Sequence, residues 1–409
     1  MKVLLVNLFL YRKGGSETVF FNTADLLRAA GHEVVLFGLE DPANEDYPAP
    51  VYTCRGWHGL AGKVRKAKDY FCNREAARLM DEVLTKERPD IVHMHLFWGG
   101  ITASVIEVIH RHGIPVVHTA HDYRMVCPAY TFRDGKGEVC ERCRGGRFTE
   151  CFRNRCSKGN PIHSLLMAEE MKYRNKRWHP ARELDGIIYV SRFAKQKHED
   201  TDPLFREVRS TVLYNCTALA ARYPDLPEDG GYYLYYGRLS HEKGIQTLTD
   251  AVSNLPGVKL KVVGTGPLEE SLKANCKRSD IEFLGYKSGD ELYGLVRAAR
   301  FVCVPSEWYE NNPMTIVEAY SLGVPVIGAR IGGIPEIVEE GRTGFLFRSV
   351  SIESLSAVIR EAGEVSGAAR SAMAQNARAF SRQHFNPDDY AGRLLSFYRD
   401  VINHYQANH

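Results

Sequence analysis

Runs of four or five apolar residues recur along the chain, each followed by a segment of helical length whose apolar positions fall three and four apart. Unbroken apolar runs suit strands buried on both faces of a parallel sheet, and the amphipathic segments suit helices that cover it. In the first half the runs predict strands at Val3 to Asn7, Val34 to Phe37, Ile91 to His95, Val116 to Thr119, Ile187 to Val190 and Val212 to Tyr214. In the second half they predict Tyr233 to Tyr236, Lys259 to Val263, Ile281 to Leu284, Phe301 to Val304, Pro325 to Gly328 and Phe345 to Phe347. Such alternation is the mark of doubly wound α/β layers. The polar, Pro-bearing stretch Ala221 to Gly231 separates the two sets and reads as a hinge between two Rossmann-like domains, residues 1–220 and 221–384. From Phe385 to His409 a last helix is expected, with its apolar face at Tyr390, Leu394, Leu395, Phe397, Tyr398, Val401 and Ile402.

Composition fits two domains: 409 residues, 44% of them hydrophobic, supply core for both. The only stretch resembling a signal peptide, Val3 to Leu10, carries Asn7 and leads into Tyr11-Arg12-Lys13 without a small-residue cleavage site, so a buried first strand is expected. No apolar run approaches the roughly 20 residues that span a bilayer. The expected location is cytoplasmic, at the inner face of the cytoplasmic membrane. The formal charge is only +3, but Arg124 to Arg182 holds 14 Lys and Arg against 6 Asp and Glu, so the basic surface belongs to the first half and should face an anionic partner.

The densest chemistry runs from Pro305 to Gly333. Asn312 suits an N-cap and Pro313 a first helical position, which would aim the amides of Met314 and Thr315 at an anion. Glu310 stands before that cap and Glu318 inside the helix. Gly14 and Gly15 follow the first strand and precede a helix, where bare amides can approach a phosphate. Gly237-Arg238-Leu239-Ser240-His241-Glu242-Lys243-Gly244 follows another strand, so Arg238 with its planar fork and Lys243 with its compact charge are placed to hold a diphosphate.

The spacing Glu310-x7-Glu318, followed by Ala319-Tyr320-Ser321-Leu322-Gly323-Val324-Pro325, then Gly332-Gly333-Ile334-Pro335-Glu336 and Gly344-Phe345-Leu346-Phe347, closely resembles the signature of the retaining glycosyltransferases of family 4. The resemblance covers Met1 to about Arg382. It implies the GT-B fold, two Rossmann-like domains facing across a cleft, with the C-terminal helix (385–409) crossing back to the first. It implies a hexosyl transfer from a nucleotide diphosphate sugar, UDP or GDP, without a catalytic metal. By the same resemblance the catalytic residues are His121 and Glu310. Donor contacts fall to Gly14, Gly15, Arg238, Lys243, Gly264, Leu284, Met314, Thr315 and Glu318, with Glu318 on the ribose and the loops at Gly264 and Leu284 bracketing the base. A nonhydrolysing nucleotide-sugar epimerase and a non-catalytic nucleotide-sugar-binding scaffold are the alternative readings.

Two features depart from the family pattern. Many relatives carry Glu-Gly-Phe-Gly where this chain has Glu310-Asn311-Asn312-Pro313, and the proline removes a backbone donor. The first domain also holds a basic insert at about 124–160 with Cys127, Cys140, Cys143, Cys151 and Cys156. The Cys140-x2-Cys143 spacing is that of a zinc knuckle, and two of the other three would complete four ligands. Structural zinc, free thiols and disulfides or another metal centre remain alternatives. Nothing in the insert matches a recognition helix with paired Cys and His ligands, so no nucleic-acid partner is expected. The insert, with Lys172 to Trp178 and Lys63, Arg65, Lys66 and Lys68, instead suits anionic lipid headgroups, hence peripheral membrane association and a lipid-linked saccharide acceptor.

Overall fold

A computed structural model describes residues 1–57, 62, 68–276 and 278–408. Lys63, Arg65 and Lys66 lie outside the described residues. The chain forms two compact units, Met1–Leu213 together with Asp388–His409, and Tyr214–Pro387.

The first unit is built on a seven-stranded sheet of β1 (Lys2–Val6), β2 (Glu33–Leu39), β3 (Val51–Cys54), β4 (Ile91–Met94), β5 (Val116–Ala120), β6 (Gly186–Tyr189) and β7 (Ser210–Val212). Their order is β3-β2-β1-β4-β5-β6-β7, and the pairings are parallel. Strand order reverses between β1 and β4, the place where doubly wound sheets open a crevice at their carboxyl ends. β3 escaped the sequence reading because it is an edge strand with only Cys54 buried, so it lacks the unbroken apolar run of its neighbours.

The second unit repeats the plan with β8 (Tyr233–Tyr236), β9 (Leu260–Val263), β10 (Ile281–Gly285), β11 (Phe301–Val304), β12 (Val326–Ala329) and β13 (Gly344–Phe347). The order β10-β9-β8-β11-β12-β13 places its reversal between β8 and β11.

The stretch read as a hinge, Ala221 to Gly231, is strapped into the second unit. Arg378 Nη1 donates to the carbonyls of Tyr223 at 3.0 Å and Pro224 at 2.9 Å, and Arg370 Nη1 to that of Pro227 at 3.2 Å. Its composition is that of a linker, but two mostly buried arginines satisfy its carbonyls, and the boundary between units falls earlier, at Leu213/Tyr214. The helix Pro387–Asn408 belongs, from Asp388 onward, to the first unit. It buries the predicted face except Ile402, which is half-buried, and adds Tyr405: the Tyr390 hydroxyl lies 3.2 Å from Thr23 Oγ1, and Phe397 and Val401 press so closely on β6 that a Cβ at Gly186 would meet them at 2.9–3.0 Å.

Candidate functional site

In the second unit the functional side chains gather at the carboxyl ends of β8 and β11. After β8 the chain passes Gly237 and Arg238 into the turn His241–Lys243. Gly244 ends that turn in the left-handed region (φ 68°), where a Cβ would lie 1.8 Å from the Pro305 carbonyl oxygen, so only glycine lets this loop lie against the end of β11. The close approach brings Lys243 Nζ to 2.6 Å from Glu310 Oε1. Ser306 Oγ donates to the same oxygen at 2.8 Å, and the Trp308 indole N–H also faces the carboxylate. Burial alone would push the Glu310 carboxyl up. The charge and hydrogen bond of Lys243, with the nearby Trp308 N–H and the Ser306 hydroxyl, outweigh it and hold the group below the usual carboxylate range. Arg238 is exposed at the rim of the same loop.

The helix after Glu310 begins one residue later than its sequence suggests. It spans Met314–Ser321, with Pro313 at the cap position (φ −66°, ψ 122°) accepting from the amides of Ile316 and Val317 at 3.0 and 3.3 Å. Met314 and Thr315 therefore carry the first-turn amides that have no intrahelical acceptor. Asn312 does not cap this helix. Its Oδ1 accepts from the Asn215 backbone N–H at 2.8 Å, while Asn215 Nδ2 donates to the Asn312 carbonyl at 2.8 Å. Glu318 lies in the second turn, half-buried, its carboxyl pushed up to about 7 by burial against a lowering hydrogen bond from Tyr236. The β9 loop turns at Gly264 (φ 130°), where a Cβ would sit 1.9 Å from the Gly237 carbonyl oxygen, and the Gly264 amide donates to Gly285 beside the half-buried Leu284. The glycine loops predicted to bracket a base are thus stacked on the loop that begins at Gly237.

In the first unit, Gly14 occupies the N-cap of the helix Gly15–Ala29 and Gly15 its first turn. Glu17, in that turn, is buried, and burial pushes its carboxyl up. At the ends of β4 and β5 four histidines pack together. His93 reaches the Tyr398 hydroxyl through Nδ1 (2.6 Å) and Thr119 Oγ1 through Nε2 (2.7 Å), and His118 Nδ1 reaches the Met94 carbonyl at 3.0 Å. His95 Nδ1 lies 2.8 Å from Nε2 of His121. Burial lowers all four; His118 falls to about 3 and His121 to about 4, so the cluster is neutral near pH 7. Sequence reasoning singled out His121 and missed His95, although His93 and His95 sit two apart at a strand end and so share one face.

The five insert cysteines converge without forming a disulfide. The Cys156 thiol is hydrogen-bonded to that of Cys151 and within electrostatic reach of Cys127, Cys140 and Cys143. Cys156 is accordingly held below the usual thiol range by the Cys151 hydrogen bond, while burial pushes Cys127 up to about 11. Among the described residues, no three His, Cys, Asp or Glu side chains are arranged to hold a metal ion. The basic excess is also partly internal. Arg124 donates to Glu170 at 2.8 Å and to Tyr70 at 3.1 Å, Arg174 is 1% exposed above the Trp98 ring, and Trp178, expected at a surface, is buried with its N–H on Glu107 at 3.1 Å. The exposed basic side chains include Arg153, Arg155, Lys158, Lys176 and Arg177, interleaved with exposed Phe152, Ile162, Leu165 and Tyr173, as well as Lys136, Arg142, Arg144 and Arg147. Among the described residues no helix is long and apolar enough to cross a membrane.

Comparison with known proteins places these motifs in context. Residues 13–220 match the model described as Glycosyltransferase Family 4, and residues 221–380 the model described as Glycosyl transferases group 1. The D-inositol 3-phosphate glycosyltransferase of Mycolicibacterium smegmatis is 32% identical over 334 residues, 78% of this chain and 69% of that one. The matched stretches span from 25% to 69% of the first curated relatives. Among solved structures, the sucrose-phosphate synthase of Thermosynechococcus elongatus superposes with a TM-score of 0.72 at 18% identity, covering 98% of this chain and 99% of that one. Anabaena HepE, solved with UDP and glucose, gives 0.69 at 19% identity, covering 98% and 100%.

Proposed function

The chain belongs to glycosyltransferase family 4 and has the GT-B fold, and from that premise we propose that it moves a hexose-type sugar, with retention, from a UDP- or GDP-sugar to a lipid-linked saccharide in cell-surface polysaccharide or glycolipid synthesis. The observation that carries the reading is the Lys243–Glu310 pair at 2.6 Å, set beside the first-turn amides of Met314 and Thr315 at the β8/β11 reversal. A cation and oriented amides suit a diphosphate, and a buried carboxylate suits sugar hydroxyls.

In this reading Lys243 and Arg238 neutralise the departing diphosphate, and Glu318 takes the ribose hydroxyls. Glu310 orients the transferred sugar and stabilises the positive charge that develops at its anomeric carbon. His121, neutral, contacts the same sugar, and the glycine amides at Gly14 and Gly15 approach its phosphate side. The acceptor hydroxyl attacks from the face the diphosphate leaves, and a phosphate oxygen takes its proton, so no dedicated base is needed. Positive charge is supplied by the protein's own Lys and Arg rather than by a metal. The exposed apolar and basic side chains of the insert support a membrane-borne acceptor, because such a surface suits anionic headgroups.

The test is turnover of radiolabelled UDP-, GDP- and ADP-sugars with membrane extract, followed by partition into organic solvent. Label entering the lipid phase from one donor is the expected result. A new water-soluble glycoside would remove the lipid acceptor, and conversion of the donor without any acceptor would replace the transferase with an epimerase.

A further inference from the structure

The reading of His121 as a sugar contact leaves open which of its nitrogens carries the proton. A neutral imidazole has one donor and one acceptor nitrogen, and its neighbours decide which is which. His121 Nε2 lies 2.8 Å from His95 Nδ1, so one proton is shared between two nitrogens that cannot both donate. The other nitrogen of His95 settles the choice. His95 is fully buried, and its Nε2 has no hydrogen-bond partner. If His121 donated to His95, the His95 proton would sit on Nε2 as a buried donor with no acceptor, the rarer and costlier defect. If His95 donates from Nδ1, only a lone pair is left unmet.

We propose that His95 is a positioning residue that donates to Nε2 of His121, fixing His121 with its proton on Nδ1 and its ring orientation set from within. His95 is suited to this because its own surroundings hold it still. The ring packs at 4.3 Å, centroid to centroid, on His93 and edge-on against Phe20 at 5.2 Å. Phe20 lies on the helix that begins at Gly15, so the glycine turn and His121 are referenced to the same imidazole. His93 in turn is tied to Tyr398 and Thr119, which keeps the pair of strand-end rings from rotating. With Nε2 occupied as an acceptor, His121 carries its proton on Nδ1 and remains uncharged.

The inference rests on the transferase reading for its consequence but not for its test. Histidine labelled with 15N, with His121 assigned by loss of its signals in His121→Asn, reports the tautomer directly in the protein without substrate. The expected pattern is protonated Nδ1 and bare Nε2 for His121, retained in His95→Asn, whose side-chain amide keeps a donor near the Nδ1 position, and lost in His95→Leu. A protonated Nε2 in the unaltered protein, or a His121 pattern that ignores His95→Leu, overturns the assignment whatever the activity. Under turnover, His95→Leu should lower kcat about tenfold, the scale of one buried hydrogen bond, with donor KM within about twofold, and His95→Asn should restore most of it. Equal kcat losses in both variants, tracking equal losses of thermal stability, would reduce His95 to a packing residue and overturn the proposal.

Discussion

The two units share a sheet plan and differ in how they treat charge. At the β8/β11 reversal the second unit brings together Lys243, Glu310 and Arg238, and it leaves Glu318 with a carboxyl that titrates near neutrality. At the ends of β4 and β5 the first unit packs together four imidazoles that burial keeps neutral. One topology therefore supplies an ionic seat in one copy and an uncharged, hydrogen-bonding one in the other. The sheet fixes only where loops converge; a handful of loop residues decides what they can hold.

The contrast is broken most severely by Lys243→Ala. Loss of the cation should lower turnover on the order of 100-fold or more and weaken UDP binding in calorimetry. It also leaves Glu310 buried without its ion partner, so thermal unfolding should show a loss of about 2 kcal/mol; unchanged UDP affinity would remove Lys243 from the donor site. His121→Ala, on the uncharged side, should instead cost about tenfold in kcat with UDP affinity preserved, and a matching loss of UDP affinity would erase the distinction between the units.

Acidification sharpens the same comparison. Histidines whose folded pKa lies below 6.5 are protonated more readily in the unfolded chain, so their contribution to stability is complete above 6.5 and shrinks as pH falls toward about 4, the value for His121. Glu318 has the opposite sign: its raised folded pKa makes the second unit gain stability as pH falls from about 7 toward the ordinary carboxylate range. Glu310, whose folded pKa is lowered, withdraws its contribution only below that range. Between pH 7 and 5, amide exchange should therefore accelerate in β4 and β5 before β8 and β11; the reverse order would contradict the assignment of charge. The smallest expected effect is Tyr398→Phe, which removes the hydroxyl on His93 and should cost about 1 kcal/mol in thermal unfolding, with turnover little changed.

Much of this was legible in the chain because parallel strands buried on both faces announce themselves as apolar runs. Twelve predicted strands fall on the observed sheets to within a residue or two, and the edge strand Val51–Cys54 does not, because half its surface faces solvent. Loop residues were legible where their chemistry is local, as with Lys243 and Glu310. They were not where a distant partner decides: nothing near Asn312 says that Asn215 will claim its side chain, nothing near Arg378 says that it will bind the linker-like stretch, and Arg124 and Arg174 read as surface charge until Glu170 and Trp98 are seen beside them.

The helix Pro387–Asn408 makes the first unit discontinuous in sequence, and this sets an order on biosynthesis. Every residue of the second unit is made before Asp388, whereas Thr23 and His93 wait for Tyr390 and Tyr398, made more than 300 residues later. As the chain leaves the ribosome the second unit has all its own residues in hand while the first still lacks a wall of its core. A helix translated after the whole of the second unit is thus the one that closes the first, and a ribosome that stalls before finishing it leaves an exposed seam along the β6 face where Phe397 and Val401 belong.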